Sequence, residues 1–190
     1  MDTEVPSDQK KTVLDPAKIV PIFNLTCGDH VADFGSGHGY FAISLAHAVC
    51  ADGKVYAIDI QRPILDVIRA KSKLENLLNV ECIWSDLEQP MGSKLKDNFI
   101  DFVFIGNALF QAEQKENMLK EAFRILRTDA KLAIIEWDPA EQNPTFGPPQ
   151  ETRIAKEIIM GLCLNQSFIL EKEFNAGSHH YGLLFKKTVQ

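Results

Sequence analysis

Asp33, Gly35, Gly37 and Gly39 stand at alternate positions in Val31-Ala32-Asp33-Phe34-Gly35-Ser36-Gly37-His38-Gly39-Tyr40-Phe41, and a second carboxylate, Asp59, follows twenty positions later. Glycine has no Cβ, so such a turn can take positive φ and let backbone lie directly against a ligand. A helix starting near Tyr40 would aim its unpaired N–H groups and partial positive charge at the same spot. A dinucleotide fingerprint needs glycine at the sixth position of its motif, where this chain has Tyr40. Asp33 would also repel a pyrophosphate. A ligand that has no phosphate and carries positive charge removes that conflict.

These residues need a scaffold of alternating strands and helices. Asp15-Pro16 reads as an N-cap and first helical residue of a short helix reaching Phe23 or Leu25, with Pro21 as a kink. Its Ile19, Val20, Ile22 and Phe23 suit either packing on the domain's edge or closing over the ligand. Strands are expected over 31–34, 54–59, 80–84, 99–106 and 131–137, with helices over 40–50, 63–76 and 113–127 between them. The inward face of the second of these helices is expected to carry Ile64, Val67, Ile68, the Lys71 stem and Leu74, and that of the third Met118, Leu119, Ala122, Phe123 and Leu126. Strand 99–106 is apolar almost throughout, the pattern of a strand covered on both faces. A Pro-rich loop over 138–150 leads to a helix over 151–165, with Ile154, Ile158 and Leu162 at helical spacing. Two alternating segments, 168–174 and 181–186, then form a hairpin across Asn175-Ala176-Gly177-Ser178. Strict β-α alternation implies an α/β fold, a doubly wound sheet ending in an antiparallel strand.

At 190 residues the chain suits a single domain over 13–190 after a mobile tail over 1–12. A net charge of −6 argues against a large nucleic-acid surface. No apolar run reaches the length that spans a bilayer, and the polar N-terminus lacks a secretory core. Cys27, Cys50, Cys82 and Cys163 form no Cys-x-x-Cys pair, so they read as reduced thiols of a cytoplasmic protein, with no metal role.

Taken together, the glycine turn, Asp59, Ser85-Asp86-Leu87, Ile105-Gly106-Asn107-Ala108-Leu109 and Glu121-Ala122-Phe123-Arg124-Ile125-Leu126-Arg127 resemble the class I S-adenosylmethionine-dependent methyltransferases. The resemblance covers about residues 14–187 and is nearest to small single-domain enzymes like the ubiquinone-biosynthesis and arsenite methyltransferases. It implies a Rossmann-like seven-stranded sheet of order 3-2-1-4-5-7-6 with strand seven antiparallel. The implied cofactor is S-adenosylmethionine, cationic and free of phosphate, with S-adenosylhomocysteine as product. By the resemblance, Asp59 accepts the ribose hydroxyls, and Asp86, with the Leu87 N–H, meets the adenine. The Asn107 backbone and Asp33 meet the methionine ammonium, while Gly35, Ser36, Gly37, Gly39 and Ile60 complete the contacts. The chain departs from its relatives at Phe110, where many carry histidine, and its cysteines do not reproduce the arsenite set, which argues against arsenic chemistry.

Methyl transfer from a sulfonium expels a neutral thioether, so no general acid is needed, and a base is needed only for a protonated amine or a hydroxyl. Candidate bases near the sheet's carboxyl edge are Glu136, Asp138, His179 and His180, with no metal expected; Trp137 and Arg153 flank the Pro-rich loop. The implied acceptor is a small molecule. The same fold could serve an RNA or protein acceptor, bind S-adenosylmethionine without catalysis, or use NAD.

Overall fold

The computed structural model describes residues 14–140 and 147–188, and the tail expected over 1–12 lies outside them. Seven strands form one sheet of order β3-β2-β1-β4-β5-β7-β6. They are β1 (His30–Phe34), β2 (Lys54–Asp59), β3 (Val80–Trp84), β4 (Ile100–Gly106), β5 (Leu126–Trp137), β6 (Phe168–Asn175) and β7 (His180–Lys187). β1 to β5 pair in parallel, whereas β7 runs antiparallel to both β5 and β6. The helices are α1 (Pro16–Ile19), α2 (Tyr40–Ala48), α3 (Arg62–Leu74), α4 (Lys115–Ile125) and α5 (Lys156–Asn165). The expected sheet order and the antiparallel last strand are both present. No helix among the described residues is long and apolar enough to cross a membrane.

Period-two alternation along the strands sorts their side chains into two apolar layers. Phe34, Ile58, Ile105, Ile134 and Phe185 pack with Leu119, Ile125 and Ile159 of α4 and α5. Their neighbours Ala57, Phe104, Ala133 and Leu184 face the other way, onto Phe23, Leu45 and Ile68 from the N-terminal turn, α2 and α3. Register places Phe34 opposite Ile58 and Ile105, and Asp59 opposite Trp84. The carboxyl ends of β1 to β4 therefore meet along one edge.

Several local readings are corrected. α1 gives way at Pro21 to a 3-10 turn (Val20–Phe23), because proline cannot donate the hydrogen bond an α-helix needs. Asp15 caps α1 as expected, accepting from the Ala17 N–H at 3.1 Å. α3 buries Leu65, Ile68 and Ser72, while Leu74 is 82% exposed, so only Ile68 of the expected apolar stripe lies fully inside. β5 begins at Leu126, which pairs with Ile100 across a register shift in β4, five residues earlier than its apolar run suggests. α5 begins at Lys156, and its inward residues are Ile159 and Cys163, with Ile158 56% exposed. The chain before it is held extended: Arg153 donates to the carbonyls of Pro148 and Asp138, and the Tyr181 hydroxyl donates to the Ile154 carbonyl at 2.7 Å. Cys27 and Cys50 are not free thiols. They are joined in a disulfide that ties the turn before β1 to the end of α2, while Cys82 and the buried Cys163 remain free.

Candidate functional site

The turn between β1 and α2 gathers three left-handed glycines within five residues. Gly35, Gly37 and Gly39 have φ of 68°, 49° and 76°. A Cβ on Gly35 would lie 2.7 Å from the Ala108 Cβ, and one on Gly39 2.7 Å from Ile68 Cγ1, so neither position has room for a side chain. The Gly35 and Ser36 N–H groups donate to the Ile58 carbonyl at 2.9 and 3.1 Å, drawing the turn over the end of β2. Lys71 of α3 braces the turn from outside, donating to the His38 carbonyl at 2.8 Å with its ammonium 4.1 Å from the Tyr40 ring.

This placement brings the two carboxylates of the pattern together. Asp59 is buried and accepts from the Gly37 N–H at 3.0 Å through Oδ2 and from the Gln61 N–H at 2.8 Å through Oδ1. Both oxygens are thereby oriented, and each keeps a lone pair for a further donor. Asp33 is also buried, and its Oδ2 has no hydrogen-bond partner among the described residues. Burial, reinforced by the nearby Asp59 charge, pushes the Asp33 carboxyl up to about 8.

Two cavities share Gly35 and Gly37 as their common border. One, of about 270 Å³, is lined by Asp59, Ile60, Ile64, Ser85, Asp86 and Leu87, and across from them by Ala108, Gln111 and Met118. The other, of about 370 Å³, is lined by Asp33, Ser36, His38, Gly106 and Asn107, with an apolar wall of Leu14, Pro16, Tyr40, Phe41 and Phe104. Of the ten residues singled out from sequence, Gly39 alone lines neither cavity; it serves as the N-cap of α2. Asp86 also caps its own turn, accepting from the Glu88 N–H at 2.9 Å and from Gln89 Nε2 at 3.1 Å. Asn107 takes a left-handed φ of 52°. Its carbonyl accepts from Gln111 Nε2 at 3.0 Å, and its Nδ2 lies 3.1 Å from His180 Nε2.

The four candidate bases line neither cavity. Glu136 lies wholly under the loop after β4, accepting from the Phe110 N–H at 3.2 Å, and burial pushes its carboxyl up to about 7. Asp138 accepts from the Ala140 N–H, His179 contributes its carbonyl to the Asp138 N–H, and His180 reaches Asn107. Among the described residues no group of three or more His, Cys, Asp or Glu side chains could hold a metal ion.

Of the two descriptions its sequence allowed, the N-terminal segment shows the packed one. Ile19, Val20 and Phe23 are buried against the sheet, with Phe23 4.9 Å from the Phe102 ring, and Leu14 and Pro16 border the larger cavity. Ile64, Gln111, Met118 and Phe104 were not singled out from sequence as site residues. The periodicity of Phe104 in β4 signals only a buried strand, and nothing in it marks a cavity wall.

Comparison with known proteins adds a family and a set of relatives. A family model described as a methyltransferase domain matches residues 25–183. The chain is similar to a demethylmenaquinone methyltransferase of Lactiplantibacillus plantarum, with 30% identity over 119 residues, covering 63% of this chain and 49% of that protein. The corresponding protein of Geobacillus sp. is 31% identical over 113 residues, covering 60% and 47%. The chain thus spans about half the length of the curated relatives it matches. Among solved structures, a SAM-dependent methyltransferase from Aquifex aeolicus superposes with a TM-score of 0.83 and 28% identity, covering 92% of this chain and 90% of that one. An arsenic (III) S-adenosylmethionine methyltransferase from Chlamydomonas reinhardtii, with TM-score 0.68 and 16% identity over 86% of this chain and 64% of that one, shares the fold.

Proposed function

Because the chain belongs to the methyltransferase-domain family, whose model matches residues 25–183, we propose that it transfers a methyl group from S-adenosylmethionine to a small-molecule acceptor. The observation that carries this reading is the pair of buried carboxylates, Asp33 and Asp59, set on either side of a glycine turn that two cavities share. The residues fit this cofactor. Asp59, with both oxygens aimed by backbone N–H groups, would take the ribose hydroxyls. Ile60, Asp86 and Leu87 would hold the adenine on the same side. Asp33, Asn107 and the turn of Gly35, Ser36 and Gly37 would hold the methionine end, with Gly39 starting the helix behind them. The unpaired Asp33 oxygen suits an ammonium, whose charge would favour the ionised carboxylate.

When bound, S-adenosylmethionine supplies an electrophilic methyl whose leaving group departs as a neutral thioether. The protein's part is to orient and to exclude water. Leu14, Pro16, Tyr40, Phe41 and Phe104 give the larger cavity an apolar wall suited to that part. Since Glu136, Asp138, His179 and His180 all stand outside both cavities, no proton transfer is assigned to them. A small-molecule acceptor is supported by the net charge of −6 and by relatives whose names place them on demethylmenaquinone.

Thermal unfolding tests the cofactor. S-adenosylmethionine and S-adenosylhomocysteine should raise the midpoint, by an amount corresponding to about 2.7 kcal/mol at a hundred times the dissociation constant. NAD should leave it unchanged, and Asp59→Ala should blunt the shift. A response to NAD alone would overturn the assignment. Release of labelled methyl across a panel of metabolites and tRNA then tests the acceptor class.

A further inference from the structure

Asn107 is held at both its backbone and its side chain. Its N–H donates to the Ile135 carbonyl at 2.8 Å, and its carbonyl accepts from Gln111. Its Nδ2 lies 3.1 Å from Nε2 of His180, the first residue of β7. His180 is 6% exposed, stands opposite Trp137 in the β5–β7 ladder, and lies against that indole at 4.0 Å between ring centres, the two planes tilted by 39°. Its ring is thus fixed from one side by an aromatic plane and presents a single nitrogen to Asn107.

That nitrogen decides which end of the carboxamide is used. An amide nitrogen only donates, so with Nδ2 towards the ring Nε2 accepts and the ring proton sits on Nδ1, which is itself buried and has no partner among the described residues. Burial, with His179 and Arg153 acting in the same sense, holds the His180 pKa down at about 4, so the ring stays neutral through the physiological range. With Nδ2 engaged, Asn107 is left with Oδ1, which is buried and has no partner among the described residues. Asp33, whose Oδ2 is likewise without a partner, lines the same cavity. A buried acceptor without a donor is costly, and two such residues bordering one cavity ask for a ligand rich in donors.

We infer that His180 is a positioning residue: it turns the Asn107 carboxamide so that its oxygen joins Asp33 as an acceptor for the cationic amino-acid end of the cofactor, an inference that rests on the cofactor reading above. A protonated or donor-bearing ring would reverse the amide and set its N–H groups against that cation. His180 itself touches neither cavity and acts only through Asn107.

The test compares two nucleosides by calorimetry: S-adenosylhomocysteine, which carries the amino-acid end, and methylthioadenosine, which lacks it. His180→Phe should weaken S-adenosylhomocysteine about tenfold and leave methylthioadenosine within about twofold, a factor of ten being about 1.4 kcal/mol. His180→Gln, whose side-chain oxygen can accept from Asn107, should restore most of the loss. Equal weakening of both ligands, or of neither, would overturn the positioning role. Nitrogen NMR of the unmodified protein reads the tautomer directly, even should the phenylalanine variant not fold: a proton on Nδ1 is expected, and one on Nε2 would overturn the inference. Unmodified protein that binds neither nucleoside would overturn the cofactor reading itself, and this inference with it.

Discussion

With its carboxyl pushed up to about 8, Asp33 is mostly protonated in the free protein at pH 7. A cationic ligand beside it favours the ionised form, so binding should expel the proton. Calorimetric titration with S-adenosylhomocysteine at pH 7 should therefore release close to one proton per site. The apparent enthalpy should differ between buffers of high and low ionisation enthalpy, and identical values would sink the idea. Asp33→Asn should abolish the difference while leaving the turn intact. The Asp33 side chain was recognisable from sequence as the wrong neighbour for a phosphate. Its unusual proton affinity was not, because that depends on full burial and on Asp59 arriving from the next strand.

At the scale of elements, the joint between β1 and α2 decides whether a site exists. Gly39 combines a φ of 76° with Ile68 packed where a Cβ would go. Gly39→Ala should therefore destabilise the fold by about 1–2 kcal/mol from the left-handed backbone alone, with the displacement of Ile68 added. Gly161 is the control: it lies exposed inside α5, with nothing near its missing Cβ, so Gly161→Ala should stabilise by about 0.5–1 kcal/mol. Urea unfolding of both variants checks the contrast, and a loss at Gly161 equal to that at Gly39 would refute it. Element types were legible from pattern and punctuation, and the strands at 54–59 and 80–84 agree with their expected bounds. Helix faces were less so. In α3, residues 64, 67, 71 and 74 form a stripe adjoining the buried Leu65, Ile68 and Ser72, and hydrophobicity alone could not separate the two. The start of α5 was hidden because Arg153 and Ile154 are held extended by Asp138, Pro148 and Tyr181, partners 5 to 27 positions away in the chain.

The whole molecule carries its carboxyl burial as a pH dependence. Asp33 and Glu136 ordinarily titrate at 3.8 and 4.5, but folding moves them up to about 8 and about 7. Both bind their protons more tightly folded than unfolded, so folding takes up protons, and their contribution to stability falls as pH rises from about 4 to about 8. Replacing each by its amide should flatten that fall, as read from denaturant midpoints between pH 5 and pH 8. A slope unchanged in Asp33→Asn, Glu136→Gln and the double variant would contradict the assignment. Glu136 also marks where sequence and site part company. It stands at the carboxyl end of β5, as a base would, yet the Phe110 N–H claims it and the loop after β4 covers it.

By itself the sequence determined the alternation of strands and helices, the glycine turn, and the carboxylates at the ends of β1 and β2, because each depends on residues within a few positions of one another. The antiparallel end of the sheet was legible for the same reason, since a hairpin is local. Only the tertiary structure decided that Cys27 meets Cys50, that Leu14 and Pro16 border a cavity with Phe104, and that His180 rather than a cavity-lining base stands behind Asn107. These are contacts between segments distant in the chain, made by sheet pairing and burial, and nothing in the spacing of either partner records the other.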